Sequence, residues 1–156
     1  MGYKILFWLC LALVSTAANA TGDGATTARD RPLVQALRVL GVQYQRGGDS
    51  PATGFDCSGL VTHVFQRAWG RLLPRTVQEQ SAVGKSVRFE ELEPGDLVFY
   101  NTRNRPYSHV GIYIGDGKFI HAPKPGAQVR VENVQSSYWR PRFNGARRLD
   151  PPSSTF

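Results

Sequence analysis

The stretch Gly54-Phe55-Asp56-Cys57-Ser58-Gly59-Leu60-Val61 decides how this chain is read. Asp56 suits a helix N-cap, and Leu60, Val61, Val64, Phe65 and Ala68 recur behind it at helical spacing. The pattern predicts a helix over 56–69, stopped by Gly70. Cys57 then stands at a helix N-terminus, beside unpaired backbone N–H groups and the positive end of the macrodipole. Those surroundings favour thiolate, the reactive form of cysteine. On this stretch alone an inert thiol heading the core stripe is the commoner outcome, since free cysteines are often buried.

Toward the N-terminus, Lys4, the apolar run over 5–14 and Ala18-Asn19-Ala20 read as a signal peptide over 1–20, with cleavage expected after Ala20. The run is too short to span a bilayer. Cys10 lies in mid-run behind bulky Phe7, Trp8 and Leu9, unlike a lipobox, so no stable membrane anchor is expected. Loss of Cys10 leaves Cys57 alone in an oxidising compartment, without a partner for an intramolecular disulfide. The formal net charge of +7 fits an anionic partner such as a cell-wall polymer, and fits a plain solvated surface equally well. Nucleic acid is not expected, because no zinc-knuckle spacing, helix-turn-helix signature or aromatic-laced basic run appears.

Residues 21–30 read as a flexible leader. Pro32 opens a first helix over 31–40 that Gly41 stops, and 42–53 reads as a loop. A third helix is predicted over 75–82. The period then changes to strands over 85–89, 96–100, 108–114, 118–121, 129–134 and 146–149. Residues 136–143 read as a helical turn with Trp139 and Phe143 as core, Asp96 as a local cap or pair, and 150–156 as a disordered tail. Helices followed by antiparallel strands argue for a single α+β domain over 31–149.

A nucleophilic cysteine needs a base within hydrogen-bond reach and a group to orient that base. His63 lies six residues beyond Cys57 on the same helix and faces elsewhere. In Ser108-His109-Val110-Gly111-Ile112-Tyr113-Ile114, alternation puts His109, Gly111 and Tyr113 on one face, where the gap at Gly111 would admit the end of the Cys57 helix. His121 follows on the next strand. A strict two-residue Asp116-Gly117 turn would place the two histidines on opposite faces, so a shared face requires an odd loop or a bulge, which is predicted here. A zinc site of Cys57, His109 and His121 is the metal alternative. It lacks a fourth ligand and the usual close-spaced pair, so neither metal nor cofactor is expected.

Tyr44-Gln45-Arg46-Gly47-Gly48, Phe55-Asp56-Cys57-Ser58-Gly59, Leu73-Pro74-Arg75, Pro94-Gly95-Asp96-Leu97-Val98, Ser108-His109-Val110-Gly111 and Phe119-Ile120-His121-Ala122 occur in this order. The ordered set resembles the NlpC family of bacterial cell-wall cysteine peptidases, and within it the small Spr-like murein endopeptidases, over about 31–149. The resemblance implies a papain-like fold, with the cysteine at a helix N-terminus packed on an antiparallel sheet. It implies Cys57 as nucleophile, His109 as base and His121 as the orienting group, with Tyr44 lining the pocket and Asp56 and Ser58 flanking the thiol; these three and Arg75 are the expected substrate-binding or oxyanion residues. It also implies an endopeptidase that hydrolyses amide bonds in peptidoglycan stem peptides or cross-links; a monomer is expected, and a periplasmic location, since no wall-binding repeats appear. The expected attack is by a Cys57 thiolate paired with protonated His109. The backbone N–H of Cys57 and the Tyr44 hydroxyl would hold the oxyanion. Arg75, Arg103 and Arg105 either fork onto stem-peptide carboxylates or are solvated surface. A catalytically silent wall-binding module and a cysteine acyltransferase or amidase are the alternatives.

Overall fold

The computed structural model describes residues 27–153; the expected signal segment, the leader through residue 26 and residues 154–156 lie outside them. Among the described residues, no helix is long and apolar enough to cross a membrane.

Helix α1, Arg31–Arg38, opens on Pro32, and Gly41 just beyond its end takes φ +82. The stretch expected as loop contains a small hairpin of β1 (Asp49–Ser50) and β2 (Gly54–Phe55). This hairpin delivers buried Phe55 and then Asp56 to the start of α2, Cys57–Trp69. Asp56 caps α2 by accepting the Gly59 N–H at 2.8 Å, and Gly70 closes it in the left-handed conformation. Helix α3 is Val77–Gln80, shorter than the predicted 75–82 because Thr76 is its N-cap. Thr76 and Glu79 form a reciprocal capping box there, which leaves Arg75 outside the helix. The buried Gln80 Nε2 donates to the carbonyls of Pro74 (2.8 Å) and Ser58 (3.1 Å), pinning α3 to the first turn of α2.

Six antiparallel strands follow: β3 (Lys85–Val87), β4 (Leu97–Tyr100), β5 (His109–Gly115), β6 (Lys118–His121), β7 (Arg130–Asn133) and β8 (Phe143–Arg148). They lie in the order β3-β8-β4-β5-β6-β7, so the last strand is inserted between β3 and β4. β3 stops before Phe89 because the chain enters a 3-10 turn at Phe89–Glu91. β8 starts three residues before the predicted 146–149; Asn144 and Gly145 carry no apolar alternation, which hides its first half. Asp96 is a correction of another kind. It does accept a local bond from the Glu93 N–H, but both carboxylate oxygens also receive the Arg148 guanidinium at 2.8 Å, tying the start of β4 to the end of β8.

The two sheet faces bury different things. Leu97, Phe99, Val110, Ile112 and Ile120 pack with Leu60, Val61, Val64 and Phe65 of α2. On the other face Val98, Tyr100 and Phe119 pack with Trp139. His109, Gly111 and Tyr113 belong to this second face, by the pairings Tyr100↔His109 and Val98↔Gly111. The gap at Gly111 therefore does not receive α2. A Cβ built there would lie 2.5 Å from the Phe119 ring and 2.9 Å from the Ile120 carbonyl oxygen. The predicted irregularity between β5 and β6 is present as a bulge: Ile112↔Ile120 and Tyr113↔Phe119 pair in one register, and Gly115↔Lys118 in the next. That extra residue puts His109 and His121 on the same face.

Candidate active site

The start of α2 is held by a set of bonds centred on Asp56. Its carboxylate accepts the N–H groups of Gly47 (2.9 Å) and Gly59 (2.8 Å) and a two-pronged contact from Arg75, Nη1 to Oδ1 at 2.9 Å and Nη2 to Oδ2 at 2.8 Å. Arg75 Nη1 also donates to Ser58 Oγ at 2.9 Å. Burial works to raise the Asp56 carboxyl, but the bonds from Arg75, Gly59 and Gly47 outweigh it and hold the group below the usual carboxylate range. Asp56, Ser58 and Arg75, expected to touch substrate, are thus bonded to one another, and the fork of Arg75 is occupied. The neighbouring loop approaches so closely that a Cβ on Gly59 would lie 2.0 Å from the Gly48 carbonyl oxygen.

Cys57 is the first residue of α2 and is partly exposed. Burial and the adjacent Asp56 charge push its thiol up, against the backbone amides of Val110 and Ser58 and the Arg103 guanidinium. Tyr44 lies in the same neighbourhood. Burial raises its phenol, the charges of Cys57 and Asp56 add to this, and Arg103 opposes them. His63 is elsewhere, edge-on to Phe55 at 5.1 Å.

At the first position of β5, on the face that carries Trp139, His109 Nε2 and His121 Nδ1 lie 2.8 Å apart, with both residues buried. Burial, then the neighbouring His121, brings His109 down to about 3, and burial also lowers His121. Burial thus favours the neutral form of both rings, and among the described residues no side-chain hydrogen bond joins His109 to Cys57. The amide of Val110, the residue after His109, is among the groups that lower the thiol, so Cys57 stands beside the start of β5. Burial of both partners works against the thiolate–imidazolium pair expected from the sequence.

The other nitrogen of His121, Nε2, is buried and makes no hydrogen bond, and Glu132 Oε2 stands 3.7 Å from it. Glu132 is anchored by Arg130, Nε to Oε1 at 2.6 Å, and by the indole N–H of Trp139. Its carboxyl is held at about 2, chiefly by His121 against the cost of burial, with Trp139 and Arg130 adding. An ionised carboxylate can only accept, so the facing His121 Nε2 carries its proton. His121 Nδ1 then accepts from His109 Nε2–H, which leaves the His109 lone pair on Nδ1. Trp139 fixes both rings, stacked on His109 (centroids 5.4 Å, 23°) and edge-on to His121 (5.0 Å, 89°). Sequence reasoning missed Glu132 altogether and read Trp139 only as core. The one available signal is that Arg130 and Glu132 alternate onto one face of β7, which matters only once the pairings His121↔Arg130 and Phe119↔Glu132 are known. Beside His109 opens a cavity of ≈ 460 Å³, lined among others by Trp139, Arg103, Lys124 and Arg130.

Known proteins match this arrangement at the level of sequence and of fold. The chain is 43% identical over 136 residues to the gamma-DL-glutamyl hydrolase of Bacillus subtilis (strain 168), covering 86% of this chain and 32% of that protein. It is 42% identical over 121 residues to the murein DD-endopeptidase MepS/murein LD-carboxypeptidase of Escherichia coli (strain K12), covering 78% of this chain and 63% of that one. The chain thus spans less than two thirds of the length of either relative. A crystal structure of an NlpC/P60 family protein from Bacillus cereus ATCC 10987 superposes with a TM-score of 0.73 at 34% identity, over 83% of this chain and 42% of that chain. The pattern of the NlpC/P60 family itself runs from residue 41 to 148, taking in the capped cysteine helix and the strands that carry both histidines, and the chain belongs to that family.

Proposed function

We propose that this chain is a cysteine endopeptidase that hydrolyses amide bonds in peptidoglycan stem peptides or their cross-links. The observation that carries the reading is the 2.8 Å contact of His109 Nε2 with His121 Nδ1, with Glu132 3.7 Å behind His121, on the strand whose next amide, that of Val110, bears on the Cys57 thiol. The name of one relative, a murein DD-endopeptidase and LD-carboxypeptidase, supports a stem-peptide amide as substrate, and that of the other, a gamma-DL-glutamyl hydrolase, supports amide hydrolysis. An export signal ending at Ala20 fits that substrate and lies outside the described residues.

Each chemical step has a residue. As the scissile carbonyl reaches Cys57, His109 Nδ1 takes the thiol proton and sulfur attacks the carbonyl carbon. The Gly59 and Leu60 amides are already bonded to Asp56, through its side chain and its carbonyl, so the Cys57 N–H is the donor assigned to the oxyanion. The Tyr44 hydroxyl is assigned as a second donor, and its raised pKa keeps it protonated. The new His109 imidazolium keeps its Nε2–H on His121, and the Glu132 charge stabilises it. It returns the proton to the leaving amine. Water then attacks the thioester with His109 again as base, releasing the carboxylic acid and restoring the thiol.

The test is digestion of cross-linked and uncross-linked muropeptides by the mature chain and by Cys57→Ala, read by mass spectrometry. Hydrolytic products formed only with the intact thiol support the reading. Equal binding of sacculi by both proteins without cleavage would replace it with a silent wall-binding module. Products that need an added amine or lipid acceptor would replace it with an acyltransferase.

A further inference from the structure

The cavity beside His109 carries a charge imbalance that the proposed chemistry leaves unused. Three cations line it: Arg103, Lys124 and Arg130. Arg130 is matched by Glu132. Among the described residues, no carboxylate lies within salt-bridge distance of Arg103 or Lys124. Glu132 does not cancel them, because its two oxygens are engaged by Arg130 and Trp139. Two unmatched cations therefore border a pocket whose wall includes His109.

The position of His109 says which half of a substrate enters. In the reading above, His109 protonates the leaving amine while the acyl half stays on Cys57. The residue that owns the leaving amine must therefore occupy the cavity beside His109. An anionic group received by Arg103 and Lys124 would sit on that residue, close to its nitrogen.

Resting on that reading, we infer that Arg103 and Lys124 form a receptor for a free carboxylate on the α-carbon of the leaving amine. This chemistry selects among peptidoglycan amides. It is present where D-alanine is joined to the second amine of a diamino acid, whose own carboxylate there is free. It is also present where D-alanine ends a stem peptide. It is absent at the γ-glutamyl bond of a tetrapeptide stem, where the carbonyl next to the leaving amine continues into another amide. Arg103 suits the task because its planar fork matches a carboxylate, and Lys124 supplies a second point charge. Both side chains are exposed, so replacing them leaves the core and the Asp56 bracing untouched; Arg103 also bears on Tyr44 and Cys57, an effect common to all substrates that cancels in a ratio.

The test compares the cross-linked dimer, the same dimer with that carboxyl converted to carboxamide, and the uncross-linked tetrapeptide ending in D-alanine. The receptor predicts kcat/KM at least about tenfold higher for the free carboxylate than for the carboxamide, as a charge-assisted hydrogen bond supports. In Arg103→Gln/Lys124→Gln that ratio falls toward one. Cleavage of the dimer against release of terminal D-alanine distinguishes the two sources of the carboxylate. A wild-type ratio of one, or a ratio that survives the double substitution, overturns the inference while leaving the peptidase reading standing. Should no peptide be cleaved, the peptidase reading fails, and calorimetry on the Cys57→Ala chain decides the receptor separately. Tighter binding of the free carboxylate, lost in the double variant, sustains it; equal affinities overturn it.

Discussion

His109 Nε2 lies 2.8 Å from His121 Nδ1, and in the proposed mechanism this contact leaves Nδ1 as the nitrogen of His109 that acts as base. The ionised Glu132 at the far side of His121 sets the direction of the chain, because it forces the proton onto His121 Nε2. Replacing Glu132 by Gln removes the charge and keeps the shape. Loss of such an outer partner typically costs about 10–100-fold, expected here in kcat with little change in KM. The Glu132 charge raises the His109 pKa, so its loss lowers that pKa further and moves the acid limb of the kcat/KM profile to lower pH. An unchanged limb in an otherwise slowed variant would make Glu132 a packing residue only.

The Cys57 thiol is pushed up by burial and by Asp56, so thiolate forms only at higher pH than for an ordinary cysteine. Alkylation of the resting protein by iodoacetamide should therefore keep rising with pH beyond about 8.5, the ordinary thiol value. A plateau reached below neutrality would instead show a resting thiolate–imidazolium pair. In Arg103→Gln the rise should shift to still higher pH, because Arg103 opposes the upward push on the thiol.

Asp56 titrates lower in the folded protein than its ordinary value, so its contribution to stability is present above that value and is lost as pH falls through the folded pKa. Asp56→Asn should lower stability by about 1–2 kcal/mol at neutral pH, discounted because the Arg75 partner is 41% exposed. The deficit should shrink as the pH is lowered toward 3. Urea midpoints at both pH values check this, and a constant deficit would contradict the ion-pair account.

Two glycines of one helix should respond differently to alanine. At Gly59 the new Cβ meets the Gly48 carbonyl oxygen at 2.0 Å, so the loop must move, at a cost of about 1–3 kcal/mol or more. At Gly70 the site is open and the penalty is only the left-handed backbone at φ +65, about 1 kcal/mol. Thermal unfolding of both variants would show the order, and an equal loss would mean that the loop holding Gly48 yields freely.

What could be read from the sequence is what is set locally. Asp56, the stripe from Leu60 to Ala68 and Gly70 punctuate α2 within one stretch of chain, and α2 forms where they indicate. The irregularity between β5 and β6 was legible because a shared face for His109 and His121 demands either a three-residue Gly115-Asp116-Gly117 loop or a bulge beside the two-residue Asp116-Gly117 turn, and the bulge is present. What escaped depends on contacts distant in sequence. Arg75 reaches Asp56 across 19 residues, and its fork looks free until that contact is seen. Glu132 looks like a solvated strand residue until β7 pairs with β6. The helix dipole argued for a thiolate, but the burial that opposes it is created by the packing of α2 against β5 and cannot be read from Cys57 and its neighbours.

The most direct test is rapid-quench mass spectrometry of the mature chain during its first turnover on a cross-linked muropeptide. The mechanism predicts a transient mass gain equal to the acyl half of the substrate, on the peptide containing Cys57, appearing with release of the amine and decaying as the acid forms. Amine release at the wild-type rate from Cys57→Ala, or first-turnover hydrolysis without an adduct in the intact protein while the amine is being released, would contradict it.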